Sequence, residues 1–278
     1  GVAGLGGRVA LVERHLMGGD CLNVGCVPSK ALIRSARAWK EVAAASAHGL
    51  RAGDVQRDFG AAMKRVRELR AGLAANDSAG RFRELGVDVF LGHGRFVSPH
   101  EVAVEGRRLR FHRALVATGS RPAVPEVAGL AESGFLTNET LFSAQHLPTR
   151  PAAAGGRPLG RDRAQAFARF GSQVTLLLRE RHLLPREESE AAAVIERALA
   201  ADGVRVVGGC RLVAVDRSVR SKVLRFAVGA DEHRLAVDEI LVATGRRPNV
   251  EDLGLEAAGI AASAEGIGVD DHLRTSNA

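Results

Sequence analysis

The chain has 278 residues, of which 46% are hydrophobic and 26% are charged, and its formal net charge is +7 at pH 7. A chain of this size can bury a large core and hold about two domains. The sequence has no apolar run long enough to span a membrane and no secretory signal, which predicts a cytoplasmic protein with no membrane partner. The arginines are spread along the chain and tyrosine is absent, so the basic charge does not predict a nucleic-acid partner, which needs clustered cations and stacking aromatic residues.

The first residues contain several glycines but do not fit a phosphate-binding loop. Gly1, Gly4 and Gly6 precede the apolar run at residues 8–13. A phosphate loop, a full helix and a second strand need roughly 20 residues before the acid that ends the strand, and only about a dozen separate Gly1 from Glu13. We therefore predict a helix end over the glycines and a short buried strand that ends at Glu13.

The most informative segment is Gly-Gly-Asp-Cys-Leu-Asn-Val-Gly-Cys-Val-Pro-Ser-Lys, residues 18–30. Pro28 is suited to the first turn of a helix, which predicts that Cys21 and Cys26 lie near a helix start. Free N–H groups, the helix dipole and the charge of Lys30 would all favour a thiolate there. A thiol in this position is a good nucleophile.

The residues alone leave three interpretations of the two cysteines open. They are a redox-active pair, two buried free thiols, or part of a metal site whose other ligands are remote. The third cysteine, Cys210, stands alone, and the sequence has no Cys-x-x-Cys or His-x-x-x-His motif. Zinc is therefore not expected, and we predict no resident metal.

The next part of the chain alternates helical and extended patterns. Hydrophobic side chains recur at helical spacing over residues 59–73, which predicts an amphipathic helix with its charged residues, including Arg70, in water. The residues predicted to face inward are Phe59, Met63, Val66, Leu69 and Leu73. Residues 87–91 then alternate like a strand, and residues 101–111 have the pattern of a small β-meander.

An Ala-Thr-Gly phrase occurs twice, each time after an apolar run. Residues 114–119, Ala-Leu-Val-Ala-Thr-Gly, predict a buried strand that ends in a turn. Residues 240–249 repeat the pattern of apolar strand, Ala-Thr-Gly, arginine and proline. The repetition predicts two similar strand ends on either side of the intervening residues.

The intervening residues contain an imperfect glycine fingerprint. In Gly-x-Gly-x-x-Gly the first and third glycines are Gly155 and Gly160, but Arg157 takes the middle place. A glycine there lets the backbone approach a pyrophosphate, so the arginine either blocks the phosphate site or swings out, which requires an acceptable φ. The preceding strand is rich in alanine and begins with proline, and two arginines enter a helix start that favours acids. We therefore expect weakened dinucleotide binding.

A regular strand and a helix follow this fingerprint. Residues 174–178 predict a strand, and residues 187–199 predict a helix that is ended by Gly203. The residues predicted to face inward on that helix are Val194, Ile195, Ala198 and Leu199.

The segment at residues 18–30 and the two Ala-Thr-Gly phrases together resemble the class I pyridine nucleotide-disulfide oxidoreductases. These flavoproteins include glutathione reductase, dihydrolipoamide dehydrogenase and mercuric reductase. The resemblance extends along the chain and implies an α/β fold of two Rossmann-like nucleotide-binding domains, the NAD(P) domain inserted into the FAD domain, with a small β-meander. It implies an incomplete FAD-binding domain over residues 1–147, an NAD(P)-binding domain over residues 148–262 and a return to the FAD domain over residues 263–278. The first strand of the FAD domain and the C-terminal dimerisation domain are expected to be missing.

The same resemblance implies the roles of the candidate catalytic residues. Reduced Cys26 would lie against the flavin as the charge-transfer thiolate, and Cys21 would attack the substrate. Asp162 stands where the family has a glutamate that pairs with the lysine of the Val-Pro-Ser-Lys phrase, so an ion pair between Asp162 and Lys30 beside the flavin is implied, with a shorter reach.

The implied cofactors are FAD and NADPH. Glu13 matches the carboxylate that holds the adenosine ribose of FAD. Arg179 follows the strand at residues 174–178, where an NAD-specific unit places an acid on the ribose 2′-hydroxyl, so this arginine favours NADPH over NADH. The other cofactor-binding residues implied by the resemblance are Gly19, Asp20, Lys30, Ala117, Thr118, Gly119, Gly155, Gly160, Arg181, Thr244 and Gly245.

The implied reaction passes electrons from NADPH through FAD to Cys21 and Cys26, and from there to a small-molecule disulfide or to Hg(II), for which thiolates are suitable soft ligands. The family is homodimeric. Two alternatives remain open for this chain: a truncated, inactive remnant that keeps ancestral motifs, and a thiol- or metal-binding module without flavin turnover.

Overall fold

The computed structural model describes residues 1–51, 53–217 and 221–277. The chain divides into two compact units, which are described separately. The first unit comprises Gly1–Gly19, Ala71–Arg121 and Arg246–Ala278, and the second unit comprises Asp20–Arg70 and Pro122–Gly245. Within the described ranges, the hydropathy and length of every helix fall short of what a membrane span requires.

The predicted alternation of helices and strands is confirmed. The α-helices are α1 (Gly19–Asn23), α2 (Cys26–Ala43), α3 (Phe59–Ala74), α4 (Ala79–Glu84), α5 (Leu130–Ser133), α6 (Asn138–Leu141), α7 (Pro158–Phe170) and α8 (Ser189–Ala201). The first nine strands are β1 (Val9–Glu13), β2 (Val87–Leu91), β3 (Arg95–Ser98), β4 (Glu101–Val104), β5 (Arg107–Arg110), β6 (Ser120–Pro122), β7 (Pro151–Ala154), β8 (Thr175–Leu177) and β9 (Arg205–Val207). The others are β10 (Cys210–Arg217), β11 (Lys222–Val228), β12 (Asp231–Val237), β13 (Glu239–Val242), β14 (Arg246–Pro248), β15 (Ala262–Ser263) and β16 (Gly266–Ile267).

The first unit contains small sheets around a modest core. Strands β1 and β2 pair in parallel, with Val9 opposite Val87 and Glu13 opposite Leu91. Strands β3, β4 and β5 form the predicted antiparallel meander, and Phe96 of β3 packs in a core with residues after β14. That core is formed by Phe96, Leu253, Leu255, Ala258 and Ile260. Residues 1–7 contain a 3-10 helix, Val2–Leu5, so the predicted helix end is confirmed.

The strand predicted over residues 114–119 is wrong. These residues have no strand assignment, and Leu115 is 90% exposed. The physical reason is pairing, because an isolated extended segment leaves its backbone groups without ladder bonds. In the part of the chain that the structure describes, β1 pairs only with β2, and no strand pairs with residues 114–119.

A dense set of hydrogen bonds joins the segments after the two Ala-Thr-Gly phrases. Thr118 Oγ1 donates to Asn249 O at 2.7 Å, and Asn249 Nδ2 donates to Thr118 O at 3.0 Å. Arg121 donates to both carboxylate oxygens of Glu251, at 2.9 and 2.7 Å. The hydrogen bond from Arg121 is the main reason that the pKa of Glu251 falls to about 2. The first unit therefore holds Thr118 and Arg121 beside Asn249 and Glu251.

The second unit is built on a parallel sheet of the dinucleotide-binding type. Its strand order is β13-β7-β8-β9, and all three neighbouring pairs are parallel. Strand β7 is fully buried although three of its four residues are alanine. Its small side chains are compatible with closely packed neighbouring layers, which explains why low β-propensity does not prevent a strand here. An antiparallel sheet of order β10-β11-β12 belongs to the same unit.

Helices α2 and α7 pack together in the main core of the second unit. Ala36 of α2 and Ala164 of α7 are both fully buried, and Phe167 is 2% exposed. The ring of Phe59, from α3, lies 6.1 Å from that of Phe167. The helix that starts at Cys26 is therefore fixed against the first helix of the dinucleotide-type sheet.

The predicted inward faces of α3 and α8 are partly wrong. Leu69 and Leu73 of α3 are 39% and 42% exposed, while Phe59, Met63 and Val66 are buried as predicted. On α8, Leu199 is buried, but Val194 and Ile195 are 54% and 37% exposed. Periodicity locates a helix and its apolar stripe, but the neighbouring elements decide how much of that stripe is covered.

One buried acid connects three helices of the second unit. Asp202, at the end of α8, has a side chain that is only 3% exposed. It accepts hydrogen bonds from Lys40 Nζ of α2 at 2.6 Å, from Arg169 Nε of α7 at 3.0 Å and from Gln165 Nε2 of α7 at 2.7 Å. Burial raises the pKa of this carboxyl, but the bonds and charges of Lys40 and Arg169 outweigh it, so the net pKa is lowered.

Candidate active site

Cys21 and Cys26 form a disulfide in the second unit. Their Cα atoms are 4.6 Å apart, inside the usual range for disulfides. Cys26 is the first residue of the 18-residue helix α2, whose first turn has no acid, and both cysteines are exposed. The predicted position at a helix start is confirmed, and the helix dipole would stabilise a thiolate on Cys26 after reduction.

Backbone bonds shape the six-residue ring that the disulfide closes, residues 21–26. Val24 N donates to Asp20 O at 2.9 Å, and Ser29 N donates to Gly25 O at 3.0 Å as α2 begins. A Cβ atom on Gly25 would lie 2.7 Å from Asp20 O. Only glycine therefore fits between the two helical segments that carry the cysteines.

Two side chains that sequence analysis missed hold the ring from outside. Arg70 Nη1 of α3 donates to Asn23 O at 3.3 Å, and Asn138 Nδ2 of α6 donates to Val24 O at 3.5 Å. Arg70 was predicted to face water, but it is half-buried. Asn138 is 4% exposed and starts a helix capped by Thr137. No local pattern could have found either residue, since both lie far from the ring in sequence.

Lys30 and Asp162 do not form the implied ion pair. The lysine is exposed on α2, and across the described ranges it has no ion-pair partner. Asp162 lies between Arg161 and Arg163 in α7, and burial raises its pKa more than the two arginines lower it. The charges that act on Asp162 are those of Arg163 and Arg161, its neighbours on α7.

The glycine loop after β7 has the backbone that a dinucleotide fingerprint needs. Gly155 has φ +113°, and a Cβ atom on it would lie 2.3 Å from Ala243 O, beside Thr244. A Cβ atom on Gly160 would lie 2.1 Å from Gly155 O. The first and third glycines therefore serve the tight turn and the close packing of helix on strand. Of the predicted residues, the structure brings Gly155, Gly160 and Thr244 together.

Arg157 fits the middle position of the fingerprint without backbone strain. It is the N-cap of α7 with φ −65° and ψ 162°, values that any residue adopts, and its side chain is exposed. The next residue, Pro158, starts the helix. An arginine at this position can swing out only if its φ is acceptable, and the φ of Arg157 is.

Arg179 and Arg181 are exposed after β8, next to β7 in the sheet. Carboxyl ends of parallel strands share one edge, so Arg179 lies on the same edge as the glycine loop. No carboxylate in the described residues forms an ion pair with either arginine. Free guanidinium groups beside a helix N-terminus fit an anionic dinucleotide.

The described residues of the first unit fit only part of a flavin site. Glu13 ends β1, and one of its carboxylate oxygens accepts the N–H of His15 at 2.8 Å, which leaves the other available to a ribose. Gly19 has φ +55° and Gly119 has φ +70°. The glycines before β1 form a 3-10 helix instead of a phosphate loop. Ala117, Thr118 and Gly119 lie in the exposed segment that forms no strand.

The remaining cysteine and metal-binding potential add no further site. Cys210 is buried, its thiol donates to Val207 O, and burial raises its pKa. Among the residues that the structure describes, no cluster of three or more histidine, cysteine or acidic side chains is placed to hold a metal ion.

An exposed disulfide at a helix start, in one unit with a dinucleotide-type parallel sheet, is typical of nucleotide-dependent redox enzymes. Residues 2–278 match the pyridine nucleotide-disulphide oxidoreductase family, and the chain belongs to this family.

Similar proteins agree with this membership. The chain is 38% identical to a mercuric reductase of Streptomyces lividans, with 98% of the chain and 59% of that protein aligned. It is 33% identical to a dihydrolipoyl dehydrogenase of Thermus scotoductus, with 99% of the chain and 60% of that protein aligned. The structure of the HOCl-induced flavoprotein disulfide reductase RclA from Escherichia coli matches with a TM-score of 0.85 and 29% identity, over 98% of this chain and 59% of that one. All three relatives are named as oxidoreductases, and the chain spans about three fifths of their length.

Proposed function

We propose that the chain functions as an FAD-dependent NAD(P)H:disulfide or mercuric ion oxidoreductase. In this reaction, electrons from NADPH reduce the Cys21–Cys26 disulfide. The observation that carries this proposal is the exposed disulfide at the N-terminus of α2, in the same unit as the dinucleotide-type sheet. FAD, when bound, would relay electron pairs between nicotinamide and disulfide. We propose the domain limits 1–147 and 263–278 for the flavin domain and 148–262 for the NAD(P) domain.

The residues of this chain would divide the work as follows. Gly155 and Gly160 shape the loop that receives the dinucleotide, and the N-terminus of α7 faces its phosphates. Arg179 and Arg181 would bind the 2′-phosphate. Reduction breaks the sulfur–sulfur bond, takes up two electrons and two protons and leaves two thiols. Cys26 then loses a proton most readily at the helix N-terminus.

Cys21 would attack the substrate, the role that the family resemblance implies for it. With a disulfide substrate, the Cys21 thiolate displaces one substrate thiolate and forms a mixed disulfide. Cys26 then attacks the sulfur of Cys21, which releases the second substrate thiolate and restores the Cys21–Cys26 disulfide. With Hg(II), both thiolates would act as soft ligands, as the names of the mercuric reductase relatives suggest. Lys30 would add positive charge near the pair.

The flavin spectrum tests the function. The purified chain is mixed with FAD, freed of excess flavin and measured in the visible range before and after NADPH. We expect retained flavin and, after reduction, a long-wavelength charge-transfer band that Cys26→Ser abolishes and Cys21→Ser keeps. Loss of all flavin would contradict the flavoprotein assignment for this chain and favour the remnant, whereas metal binding by the two thiols without flavin would favour the thiol or metal-binding module.

Arg179→Ala is expected to remove the preference for NADPH over NADH. The guanidinium is exposed and has no carboxylate partner in the described ranges, and a charge-assisted bond to phosphate contributes about 1.5–3 kcal/mol, or roughly 10- to 150-fold in affinity. Isothermal titration of both nucleotides measures the ratio of their dissociation constants. Arg205→Ala, an exposed arginine at the opposite end of neighbouring strand β9, is the control. An unchanged ratio in Arg179→Ala would show that another group selects the nucleotide.

A further inference from the structure

We propose that Arg70 is a positioning residue that sets the redox balance of the Cys21–Cys26 pair by stabilising its reduced, anionic form. The inference rests on the proposed redox function of the pair. Arg70 lies on α3, about 50 residues from the cysteines along the chain, and no local motif connects them.

The first support is the geometry of the disulfide ring. Two adjacent carbonyls of the ring accept hydrogen bonds from side chains of other elements: Asn23 O from Arg70 at 3.3 Å and Val24 O from Asn138 at 3.5 Å. Both donors are partly or fully buried, so their side chains have few alternative positions. The guanidinium is therefore held against the backbone of the ring, at Asn23, which lies between the two cysteines in sequence.

The second support is charge. Arg70 forms no ion pair with any carboxylate of the described residues, so its charge is not neutralised by a fixed partner. The oxidised ring carries no charge at the sulfurs, whereas reduction by two electrons and one proton leaves one thiol and one thiolate. A fixed cation stabilises the second state and not the first. At pH values above the pKa of the thiol, Arg70 therefore raises the reduction potential of the pair.

The helices that carry the ring or donate hydrogen bonds to it also carry other charged groups. Asp20 lies on α1, Lys30 on α2, Arg65 on α3 and Glu139 on α6. Arg65 Nη1 donates to Ala31 O of α2 at 3.5 Å, beyond the ring. Among these side chains, Arg70 is the cation with a hydrogen bond to the ring itself.

Equilibration with mixtures of reduced and oxidised dithiothreitol tests the proposal. The wild type and Arg70→Gln are compared between pH 6 and 9, with alkylation and mass spectrometry of the peptide that contains Cys21 and Cys26. Arg70→Gln is expected to shift the equilibrium about tenfold toward the disulfide at high pH, which is about 30 mV for a two-electron couple. The shift should shrink below the thiol pKa, where both states are neutral, and the thiol pKa itself should rise.

Three comparisons separate charge from structure. Arg67→Gln removes an exposed arginine from the same helix and should leave the equilibrium unchanged. Arg70→Lys keeps the charge, so its equilibrium should lie closer to that of the wild type than to that of Arg70→Gln. Asn138→Ala loosens the ring without changing charge, so any shift that it causes should be independent of pH. If Arg70→Gln matches Arg67→Gln, or if its shift is the same at every pH, the proposal is wrong.

The wild type provides a test that does not depend on the folding of any variant. Raising the salt concentration to about 1 M shortens the Debye length to about 3 Å. High salt should lower the proportion of reduced pair at high pH and raise the thiol pKa. If salt has no effect on either quantity, the proposal is wrong. If the wild-type pair cannot be reduced reversibly at all, the proposed function fails instead.

Discussion

Replacing Cys21 with serine is expected to abolish the two-electron redox couple of this chain. The disulfide needs both sulfurs, and the third cysteine is buried and bonded to Val207 O, so it cannot take the place of Cys21. Alkylation of the denatured protein counts thiols before and after reduction. The wild type should gain two thiols on reduction and Cys21→Ser should gain none, and the turnover of a disulfide substrate should fall to background.

Cys210→Ser is the matched control for this experiment. It removes a thiol whose pKa is raised by burial and which lies apart from the ring in the core next to β8. The gain of two thiols on reduction should remain. A reducible bond in Cys21→Ser would mean that Cys26 pairs with another cysteine, which contradicts the proposed site.

Asp202→Ala is expected to destabilise the second unit by about 3–5 kcal/mol, the usual effect of removing one partner from a buried ion pair. The carboxylate is 3% exposed and joins α2, α7 and α8, and Arg169 is itself only 15% exposed. Its loss leaves Lys40 of α2 and Arg169 of α7 without their carboxylate partner. Urea unfolding followed by the fluorescence of Trp39, the only tryptophan, reports on α2 directly.

The pH dependence of stability gives the same residue a second test. A carboxyl with a lowered folded pKa contributes stability above its unfolded pKa, near 3.8, and loses it as pH falls through the folded value. Asp202→Asn should therefore flatten the acid side of the stability curve. Glu190→Ala, an exposed acid on the same helix α8, should stay within about 0.5 kcal/mol of the wild type. A similar loss in both variants would show that the junction has no special role.

The segment around the cysteines was the part of the site most open to prediction. A proline that can start a helix and two cysteines near that start are local signals, and local hydrogen bonds do place Cys26 at the first position of α2. The glycine fingerprint was also readable, because a tight turn requires Gly155 whatever surrounds it. Arg157 broke the written pattern, yet its backbone angles are ordinary.

Other predictions failed because they depended on distant partners. An apolar run such as residues 114–119 becomes a strand only when a neighbouring strand accepts its hydrogen bonds. The charge pattern of α3 could not distinguish Arg67, which is exposed, from Arg70, which bonds to the disulfide ring. The implied pair of Lys30 and Asp162 needed a distance that no sequence contains.

The sequence by itself determined the family, the position of the two cysteines at a helix start, the turn glycines and most of the helices and strands. Each of these follows from neighbouring residues: helix starts, tight turns and period-2 or period-3.6 patterns act over a few residues. Only the tertiary structure decided which side chains support the disulfide ring and that Asp202 joins α2 to α7. Those contacts link residues more than 30 positions apart, and packing, not local propensity, brings them together.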